Sequence, residues 1–153
     1  MNIDIKKKID EELAMLALAG TDLKYYADHN LDLLMHAARK GHTRLVKLLI
    51  ESGAKHIDEA LAYASSEGHI DIIKLLLEAG ADIHSGTDYP LRVTCAQGRV
   101  EILNLLIKYN ADAKVYDKDA VPFYATPNYP NKEEIIKILI DNGADASVTK
   151  KYL

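Results

Sequence analysis

One eleven-residue phrase occurs four times in this chain. It reads LVKLLIESGAK up to Lys55, IIKLLLEAGAD up to Asp82, ILNLLIKYNAD up to Asp112 and IIKILIDNGAD up to Asp145. Each copy is an amphipathic helix closed by Gly53, Gly80, Asn110 or Gly143. Each carries an apolar quartet at i, i+1, i+3, i+4, such as Ile72, Ile73, Leu75 and Leu76. That spacing lays a broad apolar stripe along one helix face. Twelve residues before each closing position stand Gly41, Gly68, Gly98 and Asn131. Glycine and asparagine are the residues that best tolerate a left-handed backbone, so both ends of the helix are turns. Gly20 makes a fainter fifth copy with Leu13, Met15 and Leu16. Successive closing positions then lie 33, 27, 30 and 33 residues apart, a period that means a repeat array.

The repeated Gly-His at Gly41-His42 and Gly68-His69, the paired apolar helix and the closing Gly-Ala-Asp together resemble the ankyrin repeat over roughly residues 20–147. The small pairs Ala37-Ala38, Ala64-Ser65 and Thr94-Cys95 fit its first helix, although the Thr-Pro-Leu-His opening of that family has drifted to Tyr89-Pro90-Leu91-Arg92 and similar forms. The resemblance implies an all-α solenoid of stacked helix pairs with finger loops. Each repeat has a finger, a short helix A, a turn and a longer helix B. The reading is one domain, 1–153, with an N-terminal capping helix in 1–20 and repeats at 21–53, 54–80, 81–110 and 111–153, the last including the tail.

A chain of 153 residues, 48% hydrophobic, can bury one continuous core, but each helix pair needs a neighbour to cover its apolar face. The formal net charge of −4 argues against a phosphate-binding surface and hence against nucleic acid as the partner. A single cysteine allows no internal disulfide and fits a reducing compartment. No apolar run has signal-peptide or membrane-span form. The expected location is cytoplasmic or nuclear, or the host cytosol, because short, variable repeats resemble the ankyrin proteins of large DNA viruses and intracellular bacteria. A monomer is expected.

Along the chain, residues 3–19 form the capping helix, with Ile9, Leu13, Leu16 and Ala17 on its inner side. Lys6, Lys7 and Lys8 read as a solvated face. The first finger spans 21–31; helices A and B follow at about 32–40 and 43–51. The connection after Gly53 is too short for a projecting hairpin. Asp58 and Asp88 are placed to N-cap the next two A helices, the second opened by Pro90 in its first turn. A third finger spans Asp112 to Val121. Pro127 and Pro130 confine the last helix A to a short piece and make 126–131 a turn, with helix B at 132–141. Polar Glu133 fits a terminal cap, and the residues after Gly143 leave no room for a further repeat or an appended domain.

Little in the sequence suggests catalysis. His42 and His69 hold the family's Gly-His position, where the imidazole satisfies backbone groups of adjoining turns, and their spacing matches no zinc site. His29, His56 and His84 fall in loops. Asp32 and His36 stand at i, i+4 without a nucleophile beside them, so a local helix pair is the plainer reading. Cys95 reads as a small core residue. No cofactor and no metal are expected. The informative excess is tyrosine, nine against one phenylalanine. Tyrosine gives rigid contact area with a polar tip.

In the family's geometry, fingers and helix A line a concave face. On that basis the partner-binding candidates are Tyr25, Tyr26, His36, Arg39, Lys40, Tyr63, Ser66, Glu67, Tyr89, Arg92, Gln97, Tyr116 and Tyr124. Val93 falls in the same row as His36 and Tyr63. The function expected is non-catalytic binding of one or more proteins, as adaptor or inhibitor. The alternative is a small-ligand or enzymatic site on the array.

Overall fold

A computed structural model of the chain describes residues 3–20, 32–116 and 130–147. The described residues form eight α-helices and one short 3-10 helix, with no strand among them. They divide into two compact units, Met1–Asp82 and Ile83–Leu153.

The first unit holds α1 (Ile3–Leu18), α2 (Leu33–Lys40), α3 (Thr43–Glu51), α4 (Ile57–Glu67) and α5 (Ile70–Glu78). Helix α2 packs on α4, α1 on α3 and α3 on α5, while α2 pairs with α3 and α4 with α5. The result is an A layer of α2 and α4 against a B layer of α1, α3 and α5. Each interface closes over the repeated quartets: Leu45, Val46, Leu48 and Leu49 from α3, and Ile72, Ile73 and Leu76 from α5, are buried. The small pairs Ala37-Ala38 and Ala64-Ser65 are fully buried, which lets neighbouring A helices approach closely. Burying a leucine or isoleucine contributes roughly 1.5–3 kcal/mol, so the stripes hold the stack together while short individual helices could not.

The turns behave as their residue types require. Asp32 is extended, and its Oδ1 accepts from Met35 N at 3.0 Å, starting α2. Gly41 ends it with φ +80°. A Cβ at Gly41 would stand 2.8 Å from His69 Cε1, because the His69 ring reaches across the repeat boundary and Nε2–H donates to Arg39 O at 3.0 Å. The Gly-His pattern thus ties one repeat to the next. His42 has no equivalent partner. Its Nε2 is enclosed and unbonded, beside α1, whose Glu12 is buried and approaches Arg44 Nε at 3.1 Å. Burial pushes the His42 imidazole below the ordinary histidine value, partly opposed by the Glu12 carboxylate.

Three expectations are corrected here. Asp58 does not cap α4. The cap position is His56, at φ +61°, and Asp58 Oδ1 instead accepts from Asp82 N at 2.7 Å, fastening the loop after α5. The short connection leaves no extended residue at which a carboxylate could turn back on the helix start. On α1, Ile9 and Leu13 are buried but Ala17 and Met15 are exposed, since only α3 covers this helix. The lysines of α1 are matched on their own helix, Lys8 with Asp4 at 2.7 Å and Lys7 with Glu11 at 3.9 Å.

The second unit holds α6 (Ser85–Ala96), α7 (Val100–Lys108), a 3-10 turn (Ala113–Tyr116) and α8 (Lys132–Asp141). Helix α6 is broken by left-handed backbone at residues 86–88, so its regular part begins at Tyr89 with Pro90 in the first turn. Asp88 does not act as a side-chain cap there. It has φ +56°, and its Oδ1 meets His84 Nδ1 at 2.6 Å. Leu91, Val93, Thr94 and Cys95 are buried, as are Ile102, Leu103 and Leu106 of α7 and Ile135 and Leu139 of α8. Asn110 and Asn131 have φ +66° and +58°, as their place in the repeat requires. The last repeat lacks the Gly-His pair, and Asn131 Nδ2 donates to Gly98 O at 2.8 Å. The expected short helix A at Phe123–Ala125, most of the following turn and the outer part of the third finger lie outside the described residues.

Candidate functional site

Helices α2 and α4 lie side by side in the first unit, and the side chains just before their closing glycines point away from the stack. Arg39, two residues before Gly41, and Glu67, one before Gly68, are both exposed, and Arg39 Nε lies 3.7 Å from Glu67 Oε1. The Arg39 guanidinium also stands 6.0 Å from the Tyr63 ring centroid. Tyr63 is 38% exposed, one of the few large apolar groups on the described surface. One turn earlier on α2, His36 is half-buried, and Lys40 is exposed at the helix end. Ser66 is half-buried on α4. An exposed ion pair or cation–π contact contributes about 1 kcal/mol or less, so this cluster does not hold the fold. Its effect is to hold a flat aromatic and a planar cation in one orientation in water.

The i, i+4 pair expected of Asp32 and His36 does not form the suggested arrangement. The Asp32 carboxylate is used at the start of α2 and lies 3.9 Å from His56 Nε2. His56 Nδ1 also lies 3.5 Å from Glu59 Oε1.

In the second unit Tyr89 and Arg92 are half-buried, and Arg92 Nη1 donates to Thr87 O at 3.2 Å, bracing the broken start of α6. Gln97 is exposed at the end of α6. Val93 leaves the row expected for it, because its side chain is buried in the core of this unit. Tyr25, Tyr26 and Tyr124 lie outside the described residues, and Tyr116 ends the 3-10 turn. Cys95 is fully buried, as its place in a small pair requires. Among the described residues no three His, Cys, Asp or Glu side chains group as metal ligands, and no helix is long and apolar enough to cross a membrane.

Sequence reasoning passed over one feature of the first unit. Where the connection after Gly53 runs straight into α4, it leaves a groove of about 600 Å³ bounded by Asp32–Met35, Leu49 and Ala54–His56. The signal was the 27-residue spacing between Gly53 and Gly80, which fixes a short loop but not what the loop leaves uncovered.

No curated protein matches the chain. The family model for ankyrin repeats (3 copies) matches residues 5–87, more than half of the sequence. The match starts inside α1 and runs through both helix pairs of the first unit. With the helix pairs, the buried small pairs and the Gly-His tie all in the places that pattern requires, the chain belongs to the ankyrin-repeat family.

Proposed function

We propose that this chain is a non-catalytic protein-interaction module, an adaptor or inhibitor that acts by occupying a partner's surface through its A-helix face. Ankyrin repeats are generally protein-binding modules. The observation that carries the reading to particular residues is the Arg39–Tyr63–Glu67 cluster: an exposed aromatic held under a guanidinium and rimmed by charges of both signs. Interfaces concentrate binding energy in tyrosine and arginine of this kind, surrounded by polar residues that exclude water. His36, Lys40 and Ser66 extend the face on the first unit, and Tyr89, Arg92 and Gln97 are the candidates on the second. The chain is placed in the cytosol or nucleus, or in host cytosol, as a monomer.

The test is affinity capture from native or host lysate with the full chain, followed by variants of the cluster. Tyr63→Ala should leave folding nearly intact and weaken capture by roughly thirtyfold, the effect of losing an anchor worth about 2 kcal/mol. Lys74→Ala and Asp141→Ala, exposed on B helices, should change neither folding nor capture. A partner retained by Tyr63→Ala with Arg39→Ala but lost on changing the B-helix face would overturn the reading.

A further inference from the structure

Resting on the interaction reading above, we propose that the groove between α2 and the 54–56 connection is a side-chain pocket of the interaction surface. It takes one large apolar residue of a protein partner whose neighbouring carboxylate seats on Lys55.

The groove exists because of the shortened repeat. With 27 residues between closing glycines in place of 33, the chain passes from Gly53 to Ile57 with no projecting finger. The apolar ends of the A and B layers are therefore left open at this point. The floor is made by Leu34 and Leu49, which are anchored in the core, and one wall by Met35, whose unbranched thioether adapts to differently shaped apolar groups. A volume of about 600 Å³ is ample for one large side chain and falls in the range of real ligand pockets.

The rim fixes the charge of what enters. Its two nearest carboxylates are already engaged: Asp32 at the start of α2 and beside His56, and Glu59 against the other nitrogen of the same imidazole. Lys55 is exposed and pairs with no carboxylate among the described residues. The free charge at the mouth is thus positive, and its complement is an acidic group.

The groove also lies on the path of the proposed interface. Met35 and Arg39 are one turn apart on α2, a rise of roughly 6 Å. A partner segment that drops an apolar side chain beside Met35 therefore continues along the helix toward Arg39 and Tyr63. A free small anion has no such continuation, which favours a polypeptide as the occupant.

The experiment selects a phage-displayed library of random heptapeptides on the immobilised full chain. Enriched peptides are expected to pair Leu, Ile, Phe or Met with Asp or Glu within two positions. Met35→Lys, which places a charge in the wall, and Lys55→Glu should each weaken their binding by at least about tenfold. Reselection on Lys55→Glu should keep the apolar residue and exchange the acid for Lys or Arg. Lys55 is solvent-facing, so this charge reversal keeps the test intact even if Met35→Lys unfolds the chain. Three outcomes overturn the proposal: no enrichment of this pairing, peptides that survive both substitutions, or 8-anilinonaphthalene-1-sulfonate binding that depends on Lys55 while no peptide is selected. Peptides lost with Tyr63→Ala but indifferent to Met35 and Lys55 would sink the groove and leave the interaction reading standing. Lysate partners indifferent to Tyr63 and Arg39 would sink that reading by itself.

Discussion

Replacing Gly98 with alanine should unfasten the last repeat. Gly98 has φ +66° and is buried, and a Cβ there would collide with the Pro130 carbonyl oxygen and stand 2.7 Å from Pro130 C and 3.1 Å from its Cβ. These are mainly backbone atoms, which cannot swing aside as a side chain does. The left-handed backbone alone costs alanine roughly 1–2 kcal/mol. Moving Pro130 away also breaks the Asn131 Nδ2 bond to Gly98 O, worth about 0.5–1.5 kcal/mol net, and loosens the apolar contact of α8 on α7. The expected loss is therefore about 3 kcal/mol or more. Gly80→Ala supplies the control. Its φ is +91°, but a Cβ there meets nothing within 4 Å, so it should lose only the backbone part, about 1–2 kcal/mol. The unfolded-state gain on replacing glycine, about 0.4–1 kcal/mol, is shared by both variants and cancels in the comparison. Urea unfolding followed by circular dichroism measures both losses, and hydrogen exchange locates them, with early opening of α8 expected for Gly98→Ala. Equal losses in the two variants would refute the docking of residues 130–131 on the end of α6.

Leu76→Ala should destabilise by about 2–5 kcal/mol, because Leu76 is fully enclosed between the helix layers; a loss under about 1 kcal/mol in urea unfolding would contradict that burial. Cys95 should resist alkylation in the native chain and react once urea unfolds it, so rapid native labelling with iodoacetamide would contradict its place in the core. The enclosed His42 favours its neutral form in the folded chain, so the stability that this form contributes is complete above the unfolded histidine value of about 6.5 and is lost as pH falls below it. Thermal melts between pH 7.5 and 5 should fall more steeply for the native chain than for His42→Gln, and parallel slopes would show that His42 does not titrate with folding.

The repeat was legible because it is written in residues that permit few alternatives. A left-handed backbone at the end of each helix admits glycine or asparagine cheaply, so the two asparagines announced the same turn as the glycines around them. The apolar quartets identified the buried faces for a similar reason: only one side of a helix can meet its neighbour. The caps were harder to read. Asp58 and Asp88 are good N-cap residues, but cap use depends on whether the chain enters the helix extended. At His56 and Asp88 it enters left-handed, and both carboxylates turn to other partners. Residue type does not encode that entry angle.

The interaction face shows the same division. Position relative to the closing glycine was enough to place Arg39, Glu67 and Gln97 on the exposed surface, because that position is fixed by helix geometry. Membership of a row was not enough for Val93, since a row two residues before the small pair is exposed only where no neighbouring segment covers it. The groove at Met35 and Lys55 was the least legible feature. No residue in it is unusual for its place, and it arises from residues that the second repeat lacks. In a repeat array an omission of this kind can shape a surface as much as a substitution, because each repeat is covered by the loops of its neighbours. Restoring six residues between Gly53 and His56 would therefore test the origin of the groove directly. It should abolish peptide selection through Lys55 while leaving the α2–α4 packing intact, and a peptide preference that survives the insertion would separate the pocket from the shortened loop.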